Sequence, residues 1–116
     1  EYVEIENSIR LFAEEVIKHD PMASIGLFGS RASGKATKKS DFDIFIITEI
    51  DISRIPKKFP HIDIHLSCFT PDQFMAGLMS EEENVVKHIV RCKRMVYNPH
   101  PFYAIIQRFE SVRASV

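Results

Sequence analysis

Residues 24–48 read SIGLFGSRASGKATKKSDFDIFIIT, two apolar runs joined by a small-residue, basic stretch. Ser24 to Phe28 is short and apolar, and it stops at Gly29-Ser30, the pattern of a buried strand. Asp41 to Thr48 is rich in β-branched and aromatic residues and is the clearest strand of the chain. Three of the four glycines (Gly26, Gly29 and Gly34) fall within nine residues. Clustered glycine permits positive φ and close approach of backbone to a ligand. A strand that ends in Gly-Ser and runs into a turn of helix points several backbone N–H groups into one space, and such nests bind phosphate. Ser30 adds a hydroxyl donor, and Arg31 or Lys35 supplies charge. The spacing is not that of a Walker A loop.

Asp41 and Asp43 are one residue apart on the second strand, so both carboxylates take the same side. Like charges ~6–7 Å apart along a strand repel, since the rise is ~3.3 Å per residue. Such a pair is best tolerated at a wetted strand end or around a cation. Mg²⁺ prefers oxygen ligands and is commonly held by one or two carboxylates plus substrate phosphates. A phosphate cradle beside paired carboxylates therefore points to metal-assisted phosphoryl or nucleotidyl transfer. Asp63 adds a third carboxylate on a neighbouring strand, His61 to Cys68, whose alternation sets His61, Asp63, His65 and Ser67 opposite Ile62, Ile64 and Leu66. In a two-metal site it would orient and deprotonate the attacking hydroxyl. His61, His65 and Cys68 match no usual zinc spacing. His65 is placed to tune the charge of the carboxylates.

Outward from this centre, Ile5, Ile9, Phe12, Ala13, Val16 and Ile17 define one face of an amphipathic helix, ended by Asp20-Pro21. Leu11 falls off that face. Residues 50–60, with Pro56 and Pro60, read as a loop with room for a helical turn. Thr70-Pro71-Asp72-Gln73 is a helix start with a capping box, and the helix carries Phe74, Met75, Leu78 and Met79. Ser80-Glu81-Glu82-Glu83 repeats that logic and opens a helix to about Arg91. Met95-Val96-Tyr97 is a short strand before Asn98-Pro99, and Phe102 to Val112 is a last amphipathic helix. The expected fold class is α+β, a mixed sheet of about four strands flanked by helices, in one domain over residues 1–116.

The 116 residues are 45% hydrophobic and 27% charged, an ordinary globular mix that excludes a disordered chain or a rod. No apolar run approaches the ~20 residues of a membrane helix. Glu1, Glu4, Glu6, Glu14 and Glu15 make a secretory leader unexpected. Cys68 and Cys92 suit a reducing, cytoplasmic setting and are expected to be buried, inert thiols. With 15 basic against 16 acidic side chains the net charge is −1, which argues against direct nucleic-acid binding. Locally, Arg31, Lys35, Lys38 and Lys39 concentrate positive charge next to the aspartates and would steer an anionic nucleotide. Phe102, Tyr103, Ile106 and Phe109 are core by default and otherwise a surface for a second copy or a partner.

Leu27-Phe28-Gly29-Ser30, ten residues, Asp41-Phe42-Asp43-Ile44 and then Ile62-Asp63-Ile64 resemble the polymerase-beta-type nucleotidyltransferases. The Gly-Ser-Arg-Ala-x-Gly and Ser-Asp-x-Asp details, and the length, are most similar to the minimal nucleotidyltransferase branch. The resemblance implies the nucleotidyltransferase fold, with Gly29, Ser30, Arg31, Gly34 and Lys35 on the nucleotide. It implies Asp41, Asp43 and Asp63 as the catalytic and Mg²⁺-holding carboxylates, in a two-metal site with ATP as substrate. Minimal members commonly pair, as antitoxins, with a small helical toxin of the HEPN class and transfer AMP to its tyrosine. Ser33 stands where many relatives carry Arg, which leaves open whether Arg31, Lys35 or a later Lys neutralises the phosphates. The other readings are an antitoxin that neutralises its partner by occlusion, an aminoglycoside-type nucleotidyltransferase, and, more weakly, a nucleic-acid-modifying transferase.

Overall fold

The computed structural model describes residues 2–35, 41–55, 58–59 and 62–114, without the side chains of residues 2–6, 58–59 and 62. The elements are α1 (Tyr2–His19), β1 (Ser24–Phe28), α2 (Ser30–Ser33), β2 (Phe42–Ile47), β3 (Lys58–Phe59), β4 (Ile62–Phe69), α3 (Pro71–Met79), α4 (Val85–Arg91), β5 (Lys93–Tyr97) and α5 (His100–Ala114). The sheet runs β3-β4-β2-β1-β5. β1 is antiparallel to β2 and β5, β2 is parallel to β4, and β3 is antiparallel to β4. The four expected strands are present, and β3 adds a two-residue edge.

Strand alternation divides the core in two. Ile25 and Leu27 of β1, Phe42, Ile44 and Ile46 of β2, and Ile64 of β4 face α1, which contributes Ile9, Phe12, Ala13 and Val16. Phe28, Phe45 and Ile47 face the other way, against Phe74 and Leu78 of α3, Val86 and Ile89 of α4, and Phe102 and Ile105 of α5. Burial of each large side chain such as Phe12, Phe45 or Phe74 contributes about 1.5–3 kcal/mol relative to exposure. Leu11, off the helical face, is 47% exposed.

The capping box forms as read: Gln73 N–H donates to Thr70 Oγ1 at 3.1 Å and Thr70 N–H to Gln73 Oε1 at 2.9 Å. The second one does not. Ser80 caps the end of α3, and α4 begins at Val85 with Asn84 as its N-cap. Asn84 wins because it satisfies more groups: Oδ1 accepts from Lys87 N–H, and Nδ2 donates to the Gly77 and Glu82 carbonyls. Arg91 donates to Glu83 at 2.8 Å and holds that carboxyl below its ordinary range.

One more expectation changes, that for Cys68, and two others gain detail. In the 50–60 loop, Ile52 and Ile55 are buried in the α1-side core and joined by a turn, Ile55 N–H to Ile52 C=O at 3.1 Å. Cys68 is exposed, not buried, because on the outer side of β4 the described strands offer just β3, which pairs at Ile62 and Asp63; Cys92 is half-buried, and the two form no disulfide. Phe102 belongs to the core, so of the residues suggested for a second copy only Tyr103, 47% exposed, is markedly open. No helix among the described residues is long and apolar enough to cross a membrane.

Candidate active site

The site lies where β1 ends and its two neighbours begin. β1 and β2 are antiparallel with Phe28 opposite Asp43, so Gly29 emerges beside the start of β2. β2 and β4 are parallel with Asp43 opposite His65. On the β5 side, Lys93 stands opposite Phe28. The row Lys93–Phe28–Asp43–His65 thus crosses four strands on the α5-side face of the sheet. Asp41 and Asp63 share this face one step further out by alternation. Phe45, two residues on, is fully buried in that face's core, so the carboxylates stand at the rim of it.

Gly29 adopts φ 69 and ψ −149, a region open essentially only to glycine. A Cβ there would lie 2.5 Å from Asp43 Oδ2, so the missing side chain is what lets the carboxylate approach the loop backbone. α2 follows at once. Ala32 and Ser33 N–H return to the Gly29 carbonyl, each at 3.1 Å, and Gly34, at φ 79, closes the helix with its N–H on the Ser30 carbonyl. The amides of Ser30 and Arg31 are the first of the helix, where N–H groups have no intrahelical acceptor.

His65 joins the two aspartates. Its Nε2 is 3.1 Å from Asp41 Oδ2, and its Nδ1 is 3.8 Å from Asp43 Oδ1. All three side chains reach solvent: His65 is 66% exposed, Asp41 45% and Asp43 34%. Paired, half-wetted carboxylates of this kind fit a hard, oxygen-preferring divalent ion. Among the described residues no three His, Cys, Asp or Glu side chains are gathered around one such point. Asp63 is exposed, and it is not gathered with Asp41 and Asp43.

The other expected residues divide. Gly29 stands next to Asp43, and Ser30 follows it as the first residue of α2. Arg31 does not join them: its guanidinium stacks over the Phe42 ring, 4.0 Å from the centroid, on the α1 side of the sheet. Gly34 lines the cavity on that same side. Lys35 is exposed at the end of α2, its N–H on the Ser30 carbonyl. Ser33 donates from Oγ to the Ser30 carbonyl at 3.2 Å. Lys38, Lys39 and His61 lie outside the described residues.

Sequence reasoning missed Lys93. It is a cation on the site face, two strands and roughly 10 Å from Asp43. Its Nζ sits over the rings of Phe102 and Tyr103 and donates to the Val90 carbonyl at 3.2 Å. Reading β5 from Met95 left Lys93 without a face; starting the strand at Lys93, where it begins, would have supplied one. His88 of α4 meets the Phe28 ring edge-on at 6.1 Å and completes this wall.

Residues 9–113 match the family described as the nucleotidyltransferase domain, and the chain belongs to that family. A chain in a solved structure described as "Crystal structure of the toxin-antitoxin with AMP-PNP" has the same fold, with a TM-score of 0.53 at 18% identity. The likeness covers 95% of this chain and 90% of that one. Among curated proteins none matches.

Proposed function

We propose that this protein is a divalent-metal-dependent nucleotidyltransferase of the minimal branch, transferring AMP from ATP to a protein hydroxyl. The acceptor is a tyrosine of a HEPN-type toxin, and the protein is its antitoxin. The observation that carries this reading is the approach of Gly29 to Asp43, with Asp41 on the same face, within a chain of the nucleotidyltransferase domain family. The toxin–antitoxin description of the fold neighbour, with its nucleotide analogue, favours the antitoxin setting.

In this reading Gly29 and the Ser30 amide and hydroxyl hold the triphosphate. Asp41 and Asp43 would hold Mg²⁺, which when bound neutralises the charge that develops on the phosphate oxygens. Asp63 takes the proton of the acceptor hydroxyl as it attacks the α-phosphorus in line and pyrophosphate departs. His65 leaves the carboxylates before they can serve. Lys35 and the basic residues after it draw the nucleotide in. Most of the rate would come from positioning and preorganised charge.

A second reading is favoured by the exposed, ungathered Asp63 and by His65 lodged between the two aspartates. In it the protein neutralises its partner by occlusion, without transfer.

The deciding experiment incubates the protein with α-labelled ATP and Mg²⁺, with and without a candidate HEPN-type toxin, and reads intact masses. A gain of one AMP on the partner, lost in Asp41→Asn/Asp43→Asn, establishes transfer. A tight complex with no adduct establishes occlusion.

A further inference from the structure

On the face opposite Asp41 and Asp43, a groove of about 820 Å³ runs between α1 and β5. Its floor is apolar, with Leu27, Val96 and Tyr97 among its lining, and three arginines stand around it: Arg10, Arg31 and Arg94. Glu14 is the acidic residue of the lining. The volume lies in the usual range for binding clefts, ~300–1,000 Å³. A basic lining is a local feature here, because the chain as a whole carries a net charge of −1.

β5 stands at the edge of the sheet and pairs only with β1 among the described strands. A sheet edge presents N–H and C=O groups to any extended chain laid beside it, and the alternate side chains of that chain fall on one face. Arg94, opposite Leu27, faces the groove, and Val96 lines it from a strand where it is 37% exposed.

From these observations we infer that the groove is a docking surface for an extended, acidic segment of a partner protein. The segment adds to β5 as a sixth strand. Its alternate Asp or Glu side chains meet Arg94, Arg10 and Arg31. Charge complementarity selects an acidic occupant, and the strand edge selects an extended one. Arg31 also belongs to α2, the four-residue helix that follows Gly29, so an occupied groove touches the loop next to the carboxylates. A cognate partner is the setting in the function proposed above; the groove itself does not depend on nucleotide transfer.

The test uses the full chain without nucleotide or divalent ion. A fluorescein-labelled heptapeptide, Glu-Thr-Glu-Val-Glu-Thr-Glu, is titrated by fluorescence anisotropy, with a version carrying proline at its centre as control. Arg10 and Arg94 are exposed, so their reversal leaves the fold intact, as circular dichroism will verify. Arg94→Glu and Arg10→Glu should each weaken binding about tenfold or more, the equivalent of at least ~1.4 kcal/mol. The proline peptide should bind far more weakly, and hydrogen exchange should show protection of residues 93–97. Asp43→Asn should bind the peptide as the parent does, which separates this result from any failure of transfer. No binding at millimolar peptide overturns the inference, as does binding indifferent to the reversals. Equal binding of the proline peptide also overturns it, since simple charge attraction would then suffice. So does protection that falls on segments other than β5.

Discussion

His65 holds together Asp41, just before β2, and Asp43, within it: its Nε2 is 3.1 Å from Asp41 Oδ2 and its Nδ1 3.8 Å from Asp43 Oδ1. Its ring nitrogens occupy carboxylate oxygens that would otherwise be open to a divalent ion. Removing the ring should therefore free the pair. His65→Ala is expected to raise Mn²⁺ affinity by about two- to fivefold, the size of an exposed ion pair worth up to ~1 kcal/mol. Electron paramagnetic resonance of free Mn²⁺ measures this directly. Weaker binding in the variant would make His65 a support of the metal site instead of its competitor.

Asp43 is the carboxylate that touches the glycine loop, and its loss should be felt in chemistry and hardly in stability. Asp43→Asn keeps the shape and removes the charge at a site that is 34% exposed. Labelled-AMP transfer is expected to fall on the order of 10²-fold or more, the usual size for removing one charge-stabilising group. Urea unfolding is expected to move by less than about 0.5 kcal/mol. A variant that unfolds early and transfers normally would reverse the assignment.

Gly29→Ala tests the same contact from the other side. The new Cβ meets Asp43 Oδ2 at 2.5 Å, and the backbone at φ 69 and ψ −149 resists any side chain. The strain costs about 1–3 kcal/mol. The carboxylate must also swing off the loop, so transfer should drop by far more than the stability loss explains. Gly34→Ala is the control: φ is also positive, at 79, but an added Cβ meets nothing within 4 Å. It should share the strain and keep most of the activity.

The contrast between these glycines marks how far the sequence could be read. Alternation in Asp41–Thr48 and His61–Cys68 put Asp41, Asp43, Asp63 and His65 on one face, because a strand has only two faces. The pairing that brings Asp43 to both Phe28 and His65 depends on register, which no single strand encodes. Arg31 shows the limit for helices: in a four-residue helix at the end of an interior strand, one residue of rotation carries a side chain from one face of the sheet to the other. Gly29, just before this helix, stays beside Asp43, while Arg31 stacks on Phe42. Ser80 and Asn84 show the limit for caps. Both are good N-cap residues, and the choice was made by the Gly77 carbonyl, a tertiary partner seven residues away from Asn84.

Gly26 is a structural glycine of a different kind. Its φ is ordinary, but it lies opposite Phe45, and a Cβ would meet the ring atoms Cε1 and Cζ at 2.5 Å. Phe45 is fully buried between Phe28, Phe74 and Phe102 and has nowhere to retreat. Gly26→Ala is therefore expected to destabilise by about 1–3 kcal/mol, the cost of overpacking a dense core. The loss should appear as a lower urea midpoint with an unchanged slope. Gly26→Ala/Phe45→Leu should recover part of it, and a double variant no better than the sum of the two single changes would refute the ring clash.

Asp20 and Thr48 close the far end of the sheet. Thr48 Oγ1 donates to Asp20 Oδ2 at 2.5 Å, and both residues are buried, at 6% and 8% exposure. The same aspartate accepts the Met22 amide at 3.0 Å, and Thr48 Oγ1 accepts the Ile50 amide at 3.1 Å. This knot ties the turn after α1 to the end of β2, well away from Asp41 and Asp43 at the start of that strand. Thr48→Val keeps the volume and removes the hydroxyl, so a carboxylate and an amide lose their partner together. A hydrogen bond to a charged group is worth about 1.5–3 kcal/mol, and the variant should lose at least that much in urea unfolding. Thr48→Ser, which keeps the hydroxyl, should lose much less. Because the carboxylate knot and the candidate site occupy opposite ends of β2, Thr48→Val should bind Mn²⁺ as the parent does while folded. A parallel loss of Mn²⁺ binding under native conditions would mean that the two ends of β2 are coupled.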